Sequence, residues 1–315
     1  MRNFISEDDI EQAILQKLEG DPFQYGILRC DPSPDKRELL PDGTGRSSKK
    51  ECVLPLILRE ALARLNPDIP GEKLEEIARD LCRDFSATDM TATNYKYYNQ
   101  IRNGIKISLR RNGKEDFDFV KLVDFDRPEN NTFTAVSQMW IQGRVYWRRP
   151  DVLIFINGLP MVFVELKNSI VKVEEAYNDN LKNYLRDIPN LFAFNQICVL
   201  SNGLETRLGA FNATYNHFFE WLKVDSEKER PDRQALKEAG TVGESSVRYF
   251  IDGLLQKGRL IDYIENFIMF RNQKNKIIAK NHQYFGVNNL MESVKNRAEL
   301  QGKLGVFWHT QGSGK

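Results

Sequence analysis

Arg148-Arg149-Pro150-Asp151 stands fourteen residues ahead of Glu165 in the run RRPDVLIFINGLPMVFVELKN. Asp151 opens one apolar stretch, Glu165 ends the next, and Asn157-Gly158 between them is a hairpin turn signal. Antiparallel strands bring the start of one beside the end of the other, so both carboxylates are expected at one rim of a sheet. Glu165 and Lys167 are two apart and share a strand face, about 6–7 Å apart along it. Paired carboxylates make an oxygen-rich site suited to Mg²⁺. A lysine on the same face can orient or deprotonate water and offset charge developing on a phosphate. These are the parts of metal-assisted phosphodiester hydrolysis. An isolated ExK pair more often only ends a strand at the water boundary. The Pro-Asp, the hairpin spacing and the ExK together favour the catalytic reading.

The elements that must position these residues can be followed along the chain. Ser6 to Leu18 has helical spacing of Ile10, Ala13, Ile14 and Leu18, with Ser6 as N-cap and Asp9 at the capping-box position. Residues 31–50, rich in Pro and Gly, read as a loop, followed by helices at 52–65 and 71–84. Ile105, Ile107 and Leu109 alternate with polar residues, and Asn112-Gly113 predicts a hairpin returning near Phe117–Val123. Further strands are expected at Phe133–Trp140, Asp151–Ile156, Met161–Leu166 and Ile197–Ser201, with a helix at 173–186. Strands mixed with flanking helices predict an α/β protein. The polar stretch after Lys223 suggests an inter-domain connection: one domain at 1–225, a connecting segment at 226–246 and a second unit at 247–315. That unit starts with helices at Ser246–Gln256 and Leu260–Phe270 and ends on the strand-like GVFWH and then TQGSGK.

The chain has 315 residues, 45 basic against 44 acidic, with a net charge of +1. A globally basic coat is excluded, so any DNA contact must come from local patches. Arg148 and Arg149 adjoin Asp151 and are the first choice. Arg102, Lys106, Arg110, Arg111 and Lys114, with Arg144, form a second group. Tyr95, Tyr97 and Tyr98 suggest core or hairpin packing, and His217, His282 and His309 are too dispersed for a metal site. No apolar run approaches the ~20 residues that cross a bilayer. The N-terminus lacks an apolar signal core, and the four cysteines form no CxxC pair. A cytoplasmic protein without a membrane partner, a zinc ribbon or a disulfide scaffold is expected.

The Asp151/Glu165/Lys167 set resembles the PD-(D/E)XK nuclease motif. More narrowly, the text is similar to the restriction (R) subunit of type I restriction-modification enzymes. The likeness is carried by KLVDFDRPENNTF at 121–133, INGLPMVFVELKN at 156–168, LSNGLETRLG at 200–209, Ser6-Glu7 through Glu11 and HQYFGV at 282–287. The resemblance implies a restriction-endonuclease-like core of mixed sheet flanked by helices, followed by the start of a RecA-like helicase domain. It implies Mg²⁺ held by Asp151 and Glu165, with Lys167 assisting the water. A QxxxY motif on the next helix corresponds to Asn180 and Tyr184, with asparagine where glutamine is usual. Glu11 is the candidate for an acidic first-helix residue joining the metal.

The closing HTQGSGK looks like a P-loop with His309 in place of the first glycine. Gly312, Ser313, Gly314 and Lys315 would then meet ATP phosphates. Its Ser/Thr and following helix would come after Lys315, so these residues alone are expected to bind ATP weakly and not to translocate DNA. By the same resemblance Gln283 would recognise adenine, and Lys223 would couple nuclease to motor. The implied substrate is double-stranded DNA, cut when ATP-driven translocation stalls. The implied partners are modification and specificity subunits. The competing possibility is a non-cleaving DNA-binding or scaffold module with a nuclease-like fold.

Overall fold

A computed structural model describes residues 4–83, 89–111 and 114–306. The Asn112-Gly113 turn, most of GVFWH, and the residues His309, Gly312, Ser313, Gly314 and Lys315 lie outside the described residues, as do the side chains of Arg110, Arg111 and Lys114.

Seven strands make the central sheet: β1 (Gly26–Arg29), β2 (Phe133–Ser137), β3 (Val152–Ile156), β4 (Leu159–Leu166), β5 (Ile197–Ser201), β6 (Thr206–Gly209) and β7 (Phe219–Glu220). Their spatial order follows the chain. β1 lies parallel to β2 and β4 parallel to β5, and the other neighbours are antiparallel, so the sheet is mixed. Every residue of β2 to β5 is buried. Such continuous burial means that helices and loops cover both faces, the arrangement of an α/β protein.

Alternation along the strands sorts the core into two layers. Val152, Ile154, Val162 and Val164 face α1 (Glu7–Glu19) and α2 (Pro55–Leu65). Leu153, Phe155, Phe163 and Leu200 pack with Val173, Leu181 and Tyr184 on the opposite face. These three belong to the helical run α5, made of Val173–Glu175, a π-helical stretch Ala176–Leu181 and Lys182–Asp187. Odd-numbered positions at the ends of β3 and β4 therefore point toward α5.

α1 carries the expected capping box between Ser6 and Asp9. α2 and α3 (Gly71–Cys82) match the expected helices. Met90–Asn103, unassigned from sequence, form α4 with Asp89 as N-cap. Its Tyr98 is buried and its hydroxyl donates to the Ile268 carbonyl at 2.7 Å. Tyr97 packs on Phe194 and Tyr95 on Phe270, so these tyrosines serve the core. The separate hairpin pairs Ile105–Arg111 with Lys114–Val120, an earlier return than expected.

The β3–β4 turn is held from three sides. Asn157 and Gly158 both take positive φ, at 51° and 82°. The Asn157 side chain donates to Asn131 Oδ1 at 2.7 Å and to the Leu122 carbonyl at 2.9 Å, and it accepts from the Thr132 N–H at 2.8 Å. Two of the motif stretches, 121–133 and 156–168, are thus one scaffold. A Cβ on Gly158 would stand 2.6 Å from the Leu54 carbonyl oxygen at the start of α2.

The polar stretch after Lys223 holds the short helix Arg233–Lys237. It leads to α6 (Ser246–Leu254) and α7 (Lys257–Asn266). Both share a hydrophobic cluster with α1 and the sheet. Lys17 pairs with Asp252 at 2.6 Å, and Tyr25 donates to the Leu255 carbonyl at 2.7 Å. The Ser201, Thr206 and Ser246 hydroxyls form a chain with 2.8 Å links, tying α6 to the β5–β6 hairpin. Among the described residues the cysteines are unbridged and no helix is long and apolar enough to cross a membrane.

Candidate active site

The register that pairs Val152 with Val164 sets Asp151 opposite Glu165, one step further along. Both occupy odd positions and face α5. The Asp151 carboxylate receives the Leu166 N–H on Oδ2 at 2.7 Å, which locks it to the ExK tripeptide. Lys167 is held by its own N–H to the Ser201 carbonyl at 2.8 Å, and its Nζ lies 3.8 Å from Glu165 Oε1. The three residues expected to act together are together.

Glu165 is only 2% exposed, deeper than a rim position suggests, because α5 lies over it. The Asn180 amide donates to Glu165 Oε1, and the Tyr184 hydroxyl reaches the same oxygen at 3.5 Å. Tyr184 also donates to the Arg149 carbonyl at 3.1 Å and stands edge-on to Phe163. Asparagine thus reaches the carboxylate from the π-helical stretch despite its missing methylene. Glu165 Oε2 is buried and has no hydrogen-bond partner.

Glu11 on α1 is 5% exposed and belongs to the same constellation. It reaches Asp151 through Gln138, whose amide Nε2 donates to Glu11 Oε2 and to Asp151 Oδ1, the latter at 3.3 Å. Gln138 was not singled out from sequence, where a strand was expected to run on to Trp140. The strand stops at Ser137, and Gln138 turns into the left-handed region at φ 57°. Its only sequence signal is a polar residue at the end of an apolar strand.

Burial dominates the electrostatics. It raises the Asp151 carboxyl to about 6, against the lowering effect of the Leu166 N–H and Lys167. Glu165 is pushed well above the carboxylate range, first by burial and then by the Asp151 charge. Glu11 rises to about 7, again mainly by burial. Burial, with Glu165 next to it, also holds Tyr184 firmly protonated. Among the described residues no three His, Cys, Asp or Glu side chains form a ready-made metal cage. Yet Glu165 Oε2 and Gln138 Oε1 are buried acceptors without a donor. An oxygen-only set with unfilled acceptors suits a hard, hydrated divalent cation that takes few protein ligands.

The remaining candidates are differently placed. Arg148 grips Asp187, Nε to Oδ2 at 2.8 Å. Arg149 donates to the Pro32 carbonyl at 2.6 Å and lies over the Trp140 ring. Arg102 and Lys106 are exposed at the end of α4 and on the separate hairpin, and Arg144 is exposed in a loop. Lys223 donates to the Glu227 and Glu229 carbonyls, closing its own loop. Gln283 accepts the Lys280 N–H at 2.8 Å at the start of α8 (Asn281–Lys295). Tyr284 and Phe285 of the same motif are buried against Trp221.

Residues 4–217 match the family described as type I restriction enzyme R protein N terminus. The chain belongs to that family. Residues 282–315 match the SWI2/SNF2 ATPase family. Over 99% of its length the chain is 32% identical to the type I restriction enzyme HindI endonuclease subunit of Haemophilus influenzae, covering 29% of that protein. It is 30% identical, over 97% of its length and 30% of the relative, to a putative type I restriction enzyme endonuclease subunit, MjaIXP, of Methanocaldococcus jannaschii. A Staphylococcus aureus type I endonuclease subunit, SauCOLORF180P, is 28% identical over 67% of the chain and 21% of that protein. The chain thus spans under a third of the length of these curated relatives.

Proposed function

We propose that this chain carries the DNA-cutting site of a type I restriction enzyme R subunit, with a PD-(D/E)XK core that hydrolyses phosphodiester bonds in double-stranded DNA. The observation that carries the reading is Asp151 facing Glu165 across paired strand ends, with Lys167 3.8 Å from Glu165 and one Glu165 oxygen left without a partner. Asp151 and Glu165 would hold Mg²⁺, with Glu11 as a further oxygen donor. When bound, the cation would polarise the scissile phosphate and acidify a water.

The protein groups divide the remaining work. Asn180 and Tyr184 occupy Oε1 of Glu165 and so leave Oε2 for the cation. Leu166 N–H occupies Oδ2 of Asp151 and leaves Oδ1 only weakly engaged. Lys167 stands beside the carboxylates, where it orients or deprotonates the attacking water or balances charge on the phosphate. Arg148 and Arg149, adjoining the site, remain the proposed DNA contacts, with Asp187 and Pro32 as the partners they would have to leave.

In the whole protein we place this site upstream of an ATP-driven motor whose first domain begins at residue 247. Gln283 would bind adenine, and Gly312, Ser313, Gly314 and Lys315 would bind the phosphates. Lys223, next to α8's partner Trp221, would couple the two. The domain limits of 1–225, 226–246 and 247–315 belong to the same proposal, as do modification and specificity subunits as partners and the cytoplasm as location. The deciding experiment is reconstitution of the complete enzyme on an unmodified plasmid. Glu165→Gln is expected to abolish linearisation, and wild-type cutting by that variant would refute the site.

A further inference from the structure

Gln138, Asp151 and Glu165 stand in one row across three adjacent strand ends. The β2–β3 register pairs Ser137 with Val152, and the Gln138 N–H donates to the Asp151 carbonyl at 3.0 Å, continuing it by one step. At that step Gln138 leaves the extended conformation for φ 57°. A non-glycine residue in the left-handed region is strained and persists where its surroundings demand it. The surroundings here are two carboxylates from different elements. Glu11 comes from α1, on one face of the sheet, and Asp151 from the end of β3, facing the other.

The Gln138 amide is the direct link between them, with Nε2 donating to both. Ionised carboxylates, the form that holds a cation, only accept, so their chemistry requires the NH₂ end of the amide to face them. Oε1 is then left buried with no donor. A second unpartnered acceptor, Glu165 Oε2, belongs to the same row.

From this geometry we infer that Gln138 is the positioning residue of the cation site, its NH₂ clamping Glu11 to Asp151 and its Oε1 accepting from a water on the bound divalent cation. The inference rests on the reading of this site as a divalent-cation nuclease centre. It assigns Gln138 no contact with the reacting atoms. The clamp works on binding: without it Glu11 and Asp151 repel each other across a desolvated gap, and Glu11 is free to swing away from the cation. Groups that orient metal ligands typically change affinity about 10–100-fold when removed.

The test is Mn²⁺ binding by the purified chain, measured by calorimetry, beside cleavage by the complete enzyme. Gln138→Gly keeps the left-handed backbone at no steric cost and removes the side chain with its amide. Gln138→Asn also tolerates that backbone but is one methylene too short to span both carboxylates. Circular dichroism verifies folding of each variant. Both are expected to weaken Mn²⁺ binding about 10–100-fold. Cleavage should be restored in part by raised Mn²⁺, because the lesion lies in binding. Folded Gln138→Gly that binds Mn²⁺ within about threefold of wild type would overturn the clamp, while Asp151→Asn still losing binding would leave the nuclease reading intact. Wild-type chain that binds no more Mn²⁺ than Asp151→Asn would sink both.

Discussion

Asp151 Oδ2 accepts the backbone N–H of Leu166, the central residue of the ExK tripeptide, at 2.7 Å. One hydrogen bond therefore fixes the carboxylate that opens β3 against the residues that end β4. An asparagine at 151 can still accept that N–H through its carbonyl oxygen but carries no charge for a cation. Asp151→Asn is expected to lose DNA cleavage in the complete enzyme while its melting temperature in chelator at pH 8 stays equal to or above wild type. A melting temperature lowered by ten degrees or more would show that the carboxylate serves the fold.

The raised carboxyls predict how stability depends on pH. Asp151 at about 6 and Glu11 at about 7 bind protons more tightly folded than unfolded, where such groups titrate near 4. Their contribution is fully present below the unfolded value and is lost as pH rises through the folded values. Cation-free protein should therefore lose stability between pH 5 and 8. Mn²⁺ binds the deprotonated form, so it should raise the melting temperature more at pH 8 than at pH 5. Equal cation shifts at both pH values would contradict the assignment of these carboxylates to the cation.

Lys167 reaches Glu165 at the end of β4, with Nζ 3.8 Å from Oε1. Lys167→Ala is expected to lose plasmid linearisation and to keep ATP hydrolysis in the complete enzyme. Phosphate release and cutting measured together on unmodified DNA decide it. Loss of both in a well-folded complex would make Lys167 structural. Arginine should not rescue cutting if the lysine serves as a base, since its charge cannot be given up.

The turn that aligns the two carboxylates has its own test. Gly158 combines φ 82° with a Leu54 carbonyl oxygen 2.6 Å from where a Cβ would sit. Gly158→Ala should destabilise the chain by about 2–4 kcal/mol in urea unfolding. A loss below about 0.5 kcal/mol would mean that the hairpin and α2 shift apart easily.

Much of the architecture was legible in local pattern. The capping box at Ser6, the alternation in the strands and the Asn157-Gly158 turn are short-range effects, and they suffice to place Asp151, Glu165 and Lys167 at one strand end. Helix α4 was not legible, because its residues face a core assembled from distant segments: Tyr95 and Tyr98 meet residues 268–270, Tyr97 meets Phe194, and the Asn94 amide donates to the Phe192, Ala193 and Asn195 carbonyls. What only the tertiary structure decided was depth and company. α5 folds over Glu165 and turns an expected rim carboxylate into a buried one. α1 arrives from the far end of the chain to set Glu11 against Gln138, a contact spanning 127 residues. Residue type and spacing determine which groups share a strand face. Desolvation, raised pKa values and unpartnered oxygens depend on which other elements close around them, and that information lies in no single stretch of sequence.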